Sequence, residues 1–448
     1  MGAELDVAVV GGGIAGLAAA HELARAGREV RVFEAADHVG GRMATRHVSG
    51  FVVDTGAEQI STRGYPDTWD LLRRTGLDAA PRKVGRHVGV WRDGRVRRGL
   101  AHPLGLLTGA GLSVRARLDF LRATRGRFDV TRPETSRLGR ATVAEFAAPH
   151  HRDLLEYLCQ PVVSGFFGWR PEHSAAAPFL GLLGAIGPVT GWRAYDGGMD
   201  SLARALAARL DVTTSFPVRE VVAARDHARV VGDDGEVRAR SVVLAVPAPV
   251  ARRVHVTAPE PDRRFLDACT FTPMVKAHLM LDRRPDPGVY LLAVPRSESP
   301  SVSVVLFDHL KHPDRAPAGR GLVTVIASPA IVPALLNAPD DQVVGVLADE
   351  AERFVPGLRA AVTGSVVHRF RHGLPEATPA ALDLRAGFES RLGGVVDYAG
   401  DWLTLAPYSE AAVRSGRRAA ARVLARTPSA AAQPGTLPSA AAPKREHA

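Results

Sequence analysis

The chain has 448 residues, 46% of them hydrophobic, and a formal charge of +10 carried by arginine more than by lysine. That length allows two interleaved domains with a sizeable core, and no apolar run of ~18 residues free of Gly, Pro and charge reads as a membrane span. Cys159 and Cys269 are too few and too far apart for a disulfide framework, and with the acidic start MGAELD in place of a basic signal-peptide region they point to a reducing cytoplasm. Arginines crowd Arg82–Arg98 and Arg115–Arg127. They read first as solvated surface, and as an alternative an electropositive sector for an anionic substrate or peripheral membrane contact. Trp91, Phe120 and Phe128 do not interleave as a stacking platform, so nucleic acid is not an expected partner.

The first element is the β-branched run DVAVV, Asp6 to Val10, which suits a buried parallel strand. Gly11, Gly13 and Gly16 follow as G-x-G-x-x-G at a strand-to-helix turn. Gly11 allows the tight turn, Gly13 lets backbone N–H groups approach a pyrophosphate, and Gly16 lets the helix lie close on the strand. The helix carries Ile14, Ala15, Leu17, Ala18 and Leu23 and stops at Gly27. A second strand, EVRVFE, ends at Glu34, about 20 residues past the glycines, where a carboxylate can accept ribose hydroxyls. Gly40-Gly41-Arg42 comes next, and an arginine there can pair with the pyrophosphate.

The glycine fingerprint extended to Gly40-Gly41-Arg42 resembles the flavin-dependent amine oxidase superfamily, which includes monoamine and polyamine oxidases, protoporphyrinogen oxidases and phytoene-type desaturases. The resemblance implies FAD rather than NAD. It also implies an α/β fold with a Rossmann-like FAD-binding domain interleaved with an α+β substrate domain. Gly11, Gly13, Ile14, Ala15, Gly16, Glu34, Ala35, Gly41 and Arg42 are its first cofactor contacts. The segment FVVDTGAEQI then places Gly56, Ala57 and Glu58 at a small-residue turn that the family sets against the isoalloxazine.

Residues 66–75 read as a helix with Pro66 at its start and Gly76 beyond its end. From 81 to 192 the character changes. VGVWRDGRVRRG is a hairpin turning at Asp93-Gly94, SVRARLDFL is an amphipathic helix, and TVAEFAAPHHRDLLEYL reads as one helix with Thr142 as cap and Glu145 as capping-box partner. The apolar, aromatic segment Pro161 to Gly191 is read equally as substrate-cavity lining or as helical core.

YDGGMDSLARALAARL leads back to the first domain, and a meander follows with a turn at Asp234-Gly235 and a buried strand VVLAVP. By resemblance Val218 lies near the adenine and Ala245 near the cofactor. In DACTFTPMVKAHLMLD, period-two alternation sets Val275, Ala277, Leu279 and Leu281 on one face and Lys276, His278 and Met280 on the other. Lys276 falls where amine oxidases carry a lysine that holds a water against flavin N5; a lysine on a solvated face is the competing reading. Two more strands lie within 301–328, a helix covers 340–354, and Phe370 stands roughly where the family has a tryptophan. No cysteine follows Cys269, so the covalent flavin attachment of monoamine oxidases is excluded and the FAD is expected to be non-covalent.

The closing block, YAGDWLTLAPYSEAAVRSGRRAAARVL, ends a strand at Gly400-Asp401 and starts a helix near Tyr408. N–H groups at such a helix start suit the flavin pyrimidine edge, where negative charge gathers on reduction. It matches the family's last motif, with Ala411 in place of the usual glycine. The resemblance makes Gly400, Asp401, Tyr408 and Ser409 cofactor contacts and Tyr408 an active-site aromatic. Residues 427–448 cannot bury enough apolar surface to fold and read as a disordered tail.

The expected domains are 1–80, 193–265 and 385–426 for FAD and 81–192 and 266–384 for substrate. The expected function is removal of a hydride and a proton from a small, largely apolar substrate, with dioxygen or a quinone as acceptor. An amine oxidase using Lys276, a redox-neutral isomerase or cyclase, and a non-catalytic flavin module are the alternatives. No metal constellation is read.

Overall fold

The computed structural model describes residues 4–426 apart from 86, 127 and 392; the tail expected over 427–448 lies outside the described residues. The strand–turn–helix start forms as its pattern dictates. Strand β1, Leu5–Val10, is almost wholly buried and runs parallel to β2, Val30–Phe33, on one side and to the Gly235–Leu244 strand on the other. Between β1 and β2, helix α1 spans Ile14–Arg25. Two glycines make the turn. Gly11 has φ +112, and a Cβ on Gly16 would lie 2.0 Å from the carbonyl oxygen of Gly11.

This first sheet has seven strands. Asp211–Thr213 extends it beyond β2 in parallel. On the other flank the Gly235–Leu244 strand pairs antiparallel with Ala228–Gly232 along its first half and parallel with Val396–Tyr398 along its second. The sequence reads the turn at Asp234-Gly235 and the strand VVLAVP as separate pieces; the structure runs Gly235–Leu244 as one strand. Arg238 and Arg240 are exposed while Ala239 and Ser241 are buried, so the arginines occupy the solvent side of a continuous pleat. The last helix, Ser409–Arg426, packs on α1 closely enough that a Cβ on Gly416 would lie 2.2 Å from the carbonyl oxygen of Ala15.

The second seven-stranded sheet runs Val362–Pro375, Phe271–Leu281, Gly321–Ala327, Val302–Phe307, Leu291–Ala293, Val88–Arg92, Arg95–Leu100. Its strands come from chain segments on both sides of the first sheet's return, so the two sheets are interleaved in sequence. Asp93 and Gly94 both take positive φ, as the two-residue hairpin turn requires. The Phe271–Leu281 strand turns Val275, Ala277, Leu279 and Leu281 into one core and buries Lys276 and His278 on its other face.

Two expectations change between the sheets. The helix read through residues 142–158 breaks into Val143–Ala147 and a π-turn at Leu155–Cys159 that continues into Gln160–Phe167. Thr142 and Glu145 form the expected capping box, but Pro149 lacks the N–H that would carry the ladder on. In the aromatic segment, Phe167, Trp169 and Phe179 are buried against one another, with ring centroids 5.4 and 6.5 Å apart from Phe167. Trp169 Nε1 donates to the Pro375 carbonyl at 2.7 Å, so core packing accounts for these rings. Among the described residues no helix is long and apolar enough to cross a membrane.

Candidate functional site

The fingerprint glycines, Glu34 and the Gly40-Gly41-Arg42 turn meet at the carboxyl ends of β1 and β2. Glu34 accepts from Gly12 N at 2.6 Å through one oxygen and from Ala36 N at 2.8 Å through the other. Gly40 N donates to Gly12 O at 2.9 Å, which sets the second glycine turn directly on the first. Phe216 N donates to Glu34 O and Ser215 N to Ala36 O, both at 2.8 Å, so Val218, two residues further on, lies on the same flank. Ala245 N donates to Val10 O at 2.8 Å, beside Gly11. Ala35 is exposed between them.

These residues fit a dinucleotide such as FAD. The N-terminus of α1 has no side-chain cap and no acidic residue in its first turn, so its N–H groups and dipole are free for an anion. A Cβ added to Gly13 would meet nothing within 4 Å, which is the open space a pyrophosphate needs there. Ser409 Oγ, at the start of the last helix, is buried beside the Tyr65 hydroxyl.

Arg42 and Asp401, 359 residues apart, form a two-point fork, with Nη1–Oδ2 2.8 Å and Nη2–Oδ1 2.7 Å. Arg42 also donates to the Gly373 carbonyl at 3.1 Å. Its own carbonyl accepts from Ala57 N at 2.8 Å, so the Gly56-Ala57-Glu58 turn leans on the Gly40-Gly41-Arg42 turn. Tyr408 is buried and meets Tyr65 edge-on, centroids 5.5 Å apart. Burial pushes the Tyr408 phenol up to about 12, so it stays protonated. The next residue but one, Glu410, is also buried and caps the Pro66–Thr75 helix by accepting from Asp67 N at 3.0 Å and Thr68 N at 2.9 Å. The last helix is thereby fastened to the first domain.

Lys276 is 1% exposed, which removes the solvated-face reading. Its Nζ donates to the Gly56 carbonyl and to Glu58 Oε1, both at 2.7 Å. Glu58 Oε2 accepts from Lys311 Nζ at 2.6 Å, and Lys311 also pairs with Asp54 at 3.1 Å and Asp308 at 3.0 Å. Asp54 in turn takes Arg315 Nε at 2.8 Å. Each of these charges would cost several kcal/mol to bury alone; together they pair. Burial alone would raise the Glu58 carboxyl, but the Lys276 and Lys311 ammoniums outweigh it and hold it below the usual range. Burial likewise opposes ionisation of Asp54 and is outweighed by Lys311 and Arg315. His278, on the same face of the strand as Lys276, is driven well below the ordinary histidine range by burial and by the neighbouring His368, and its Nδ1 lies 2.8 Å from Thr324 Oγ1.

Sequence reasoning missed Asp54, Lys311, Asp308 and Arg315 as parts of this cluster. The run DHLKHPDR looks like a solvated loop, and its one pointer was position: it directly follows the strand VSVVLF, apolar but for Ser303. Asp196, His312 and Asp314 bring three ligand-type atoms together. Arg82 and Arg315 already pair with those carboxylates, so the cluster is neutralised by protein cations.

Likeness to known proteins bears on this arrangement. The AofH protein of Mycobacterium tuberculosis, named among the flavin-containing monoamine oxidases, is 33% identical over 56% of this chain; the match spans 58% of the length of that relative. Coproporphyrinogen III oxidase of the same species is 27% identical over 88% of this chain and 92% of its own. The structure of putrescine oxidase bound to putrescine superposes with a TM-score of 0.75 at 22% identity, covering 95% of this chain and all of that one, which shows the shared two-domain α/β fold. Residues 14–424 match the profile of the flavin-containing amine oxidoreductases, and the chain belongs to that family.

Proposed function

We propose that this protein is an FAD-dependent oxidase that removes a hydride from a C–H bond and a proton from an adjoining N–H, on an amine or a porphyrinogen with a largely apolar frame. The observation that carries the reading is the fixed position of Lys276 against the Gly56-Ala57-Glu58 turn. FAD, when bound, supplies the two-electron acceptor for the hydride. Gly11, Gly13, Ile14, Ala15 and Gly16 would hold its pyrophosphate, Glu34 and Ala35 its ribose, and Val218 and Ala245 would flank the nucleotide. Gly41, Arg42, Gly400, Asp401 and Ser409 would hold the flavin side. Gly56, Ala57 and Glu58 would face the ring.

An ammonium has three N–H donors. Gly56 O and Glu58 take two from Lys276, which leaves one to hold a water or dioxygen beside the ring. Because Glu58 and Lys311 fix that ammonium, the water keeps one position without reorganisation as charge shifts. Lys276 and the buried Tyr408 favour an amine, since both stand where the amine oxidases carry active-site residues. The two buried thiols, Cys159 pushed up to about 12 by burial and Cys269 also raised, fit a cytoplasmic protein. Anaerobic mixing of the yellow protein with primary amines and with porphyrinogens tests the proposal. Bleaching of the flavin by one class is expected, and failure of both classes to bleach it would sink the reading.

A further inference from the structure

We propose that residues 95–125 form a docking surface for an anionic lipid bilayer. Seven large hydrophobic side chains are exposed among the described residues, and five of them, Leu104, Leu107, Val114, Leu118 and Leu121, fall in one short segment. Scattered exposed apolar residues are ordinary; a cluster of this kind is not. Val114, Leu118 and Leu121 stand at i, i+4 and i+7 of the Val114–Ala123 helix and so share its outer face. That helix is firmly made. Ser113 caps it, and its inward Ala116 is buried. Arg117 Nη1 donates to the Leu106 and Leu107 carbonyls at 2.8 and 3.0 Å, which ties Leu104 and Leu107 to the same face.

Charge decides what covers the stripe. Arg115, Arg122 and Arg125 are exposed around it, as are Arg95 and Arg98 on the adjoining hairpin. Their side chains enter no ion pair among the described residues, whereas Arg97 and Arg92 are taken by Asp93 and Asp153. A groove of about 760 Å³ lined by Arg97, Arg98, Thr108 and Ser113 joins hairpin and helix into one basic surface. The nearest carboxylate on the helix, Asp119, already accepts from His151 N at 2.9 Å. A second copy related by a two-fold axis would bring these like charges together. An anionic headgroup layer meets them with the opposite sign while the acyl region takes the leucines, as in amphipathic interfacial helices.

The test uses the full chain with flavin bound and co-sedimentation with vesicles of phosphatidylcholine alone or mixed with phosphatidylglycerol. Binding at least ~10-fold stronger to the phosphatidylglycerol vesicles is expected, falling in high salt as exposed charges are screened. The double variants Leu107→Asp/Leu118→Asp and Arg115→Glu/Arg122→Glu should each lose that binding at least ~10-fold with the flavin spectrum and melting temperature retained. Equal partition onto both vesicles, no partition, or unimpaired binding by the leucine variant overturns the proposal. So does a solution dimer that Leu107→Asp/Leu118→Asp dissociates.

Discussion

Lys276 Nζ lies 2.7 Å from Glu58 Oε1, and the other oxygen of that carboxylate lies 2.6 Å from Lys311 Nζ. One carboxylate from the small-residue turn at 56–58 thus joins two ammoniums, one on the second sheet and one on the short helix Asp308–Lys311. That turn and the second sheet are held in register by charge as well as by packing.

Removing the shared carboxylate leaves two buried cations short of a partner. Glu58→Gln is therefore expected to cost about 3–5 kcal/mol, the range for breaking a buried pair from one side. Urea unfolding of wild type and variant measures this, and a loss under ~1 kcal/mol would show that the remaining carboxylates suffice.

Lys276→Met leaves Glu58 paired with Lys311, so it separates chemistry from stability. Flavin reduction or reoxidation should slow at least ~10-fold in rapid mixing. Unchanged rates in both half-reactions would make Lys276 a structural cation.

Glu34 links Gly12 N to Ala36 N and is the proposed ribose contact. In titrations of apoprotein with FAD, Glu34→Ala should weaken binding at least ~10-fold, while Arg95→Ala, on the exposed hairpin, should leave it unchanged. Equal losses would undo the ribose assignment.

His255 is buried beside the Tyr398 hydroxyl, 2.7 Å from its Nδ1, and burial lowers its pKa from 6.5 to about 4. The unfolded chain takes up a proton near pH ~6.5 that the folded one refuses until about 4, so stability is full above that range and declines as pH falls through it. The decline from this group is on the order of 3 kcal/mol. Unfolding midpoints from pH 7.5 to 4.5 should fall more steeply in wild type than in His255→Gln; parallel slopes would exclude the histidine as a source.

Acid precipitation should release the flavin into the supernatant, since both thiols are buried and protonated and none follows Cys269. Flavin retained in the pellet would mean a covalent link through another residue.

The sequence by itself determined what depends on neighbours within a few residues. The β1–α1–β2 turn, the Asp93-Gly94 hairpin, the Thr142 capping box and the two faces of Phe271–Leu281 all follow from spacing, because φ/ψ limits and side-chain direction are local. The cofactor class came from the family resemblance that the motifs at both chain ends carry. Tertiary structure alone decided what covers each face. Alternation sets Lys276 opposite Val275, yet only the arrival of Gly56 and Glu58 from far along the chain makes that face an interior. The same holds for Arg42 on Asp401, for Lys311 and Asp54, and for Trp169, whose ring is claimed by the core once Phe167 and Phe179 close over it. Burial is a property of pairs of elements distant in sequence, and a buried lysine differs from a solvated one only in those distant partners.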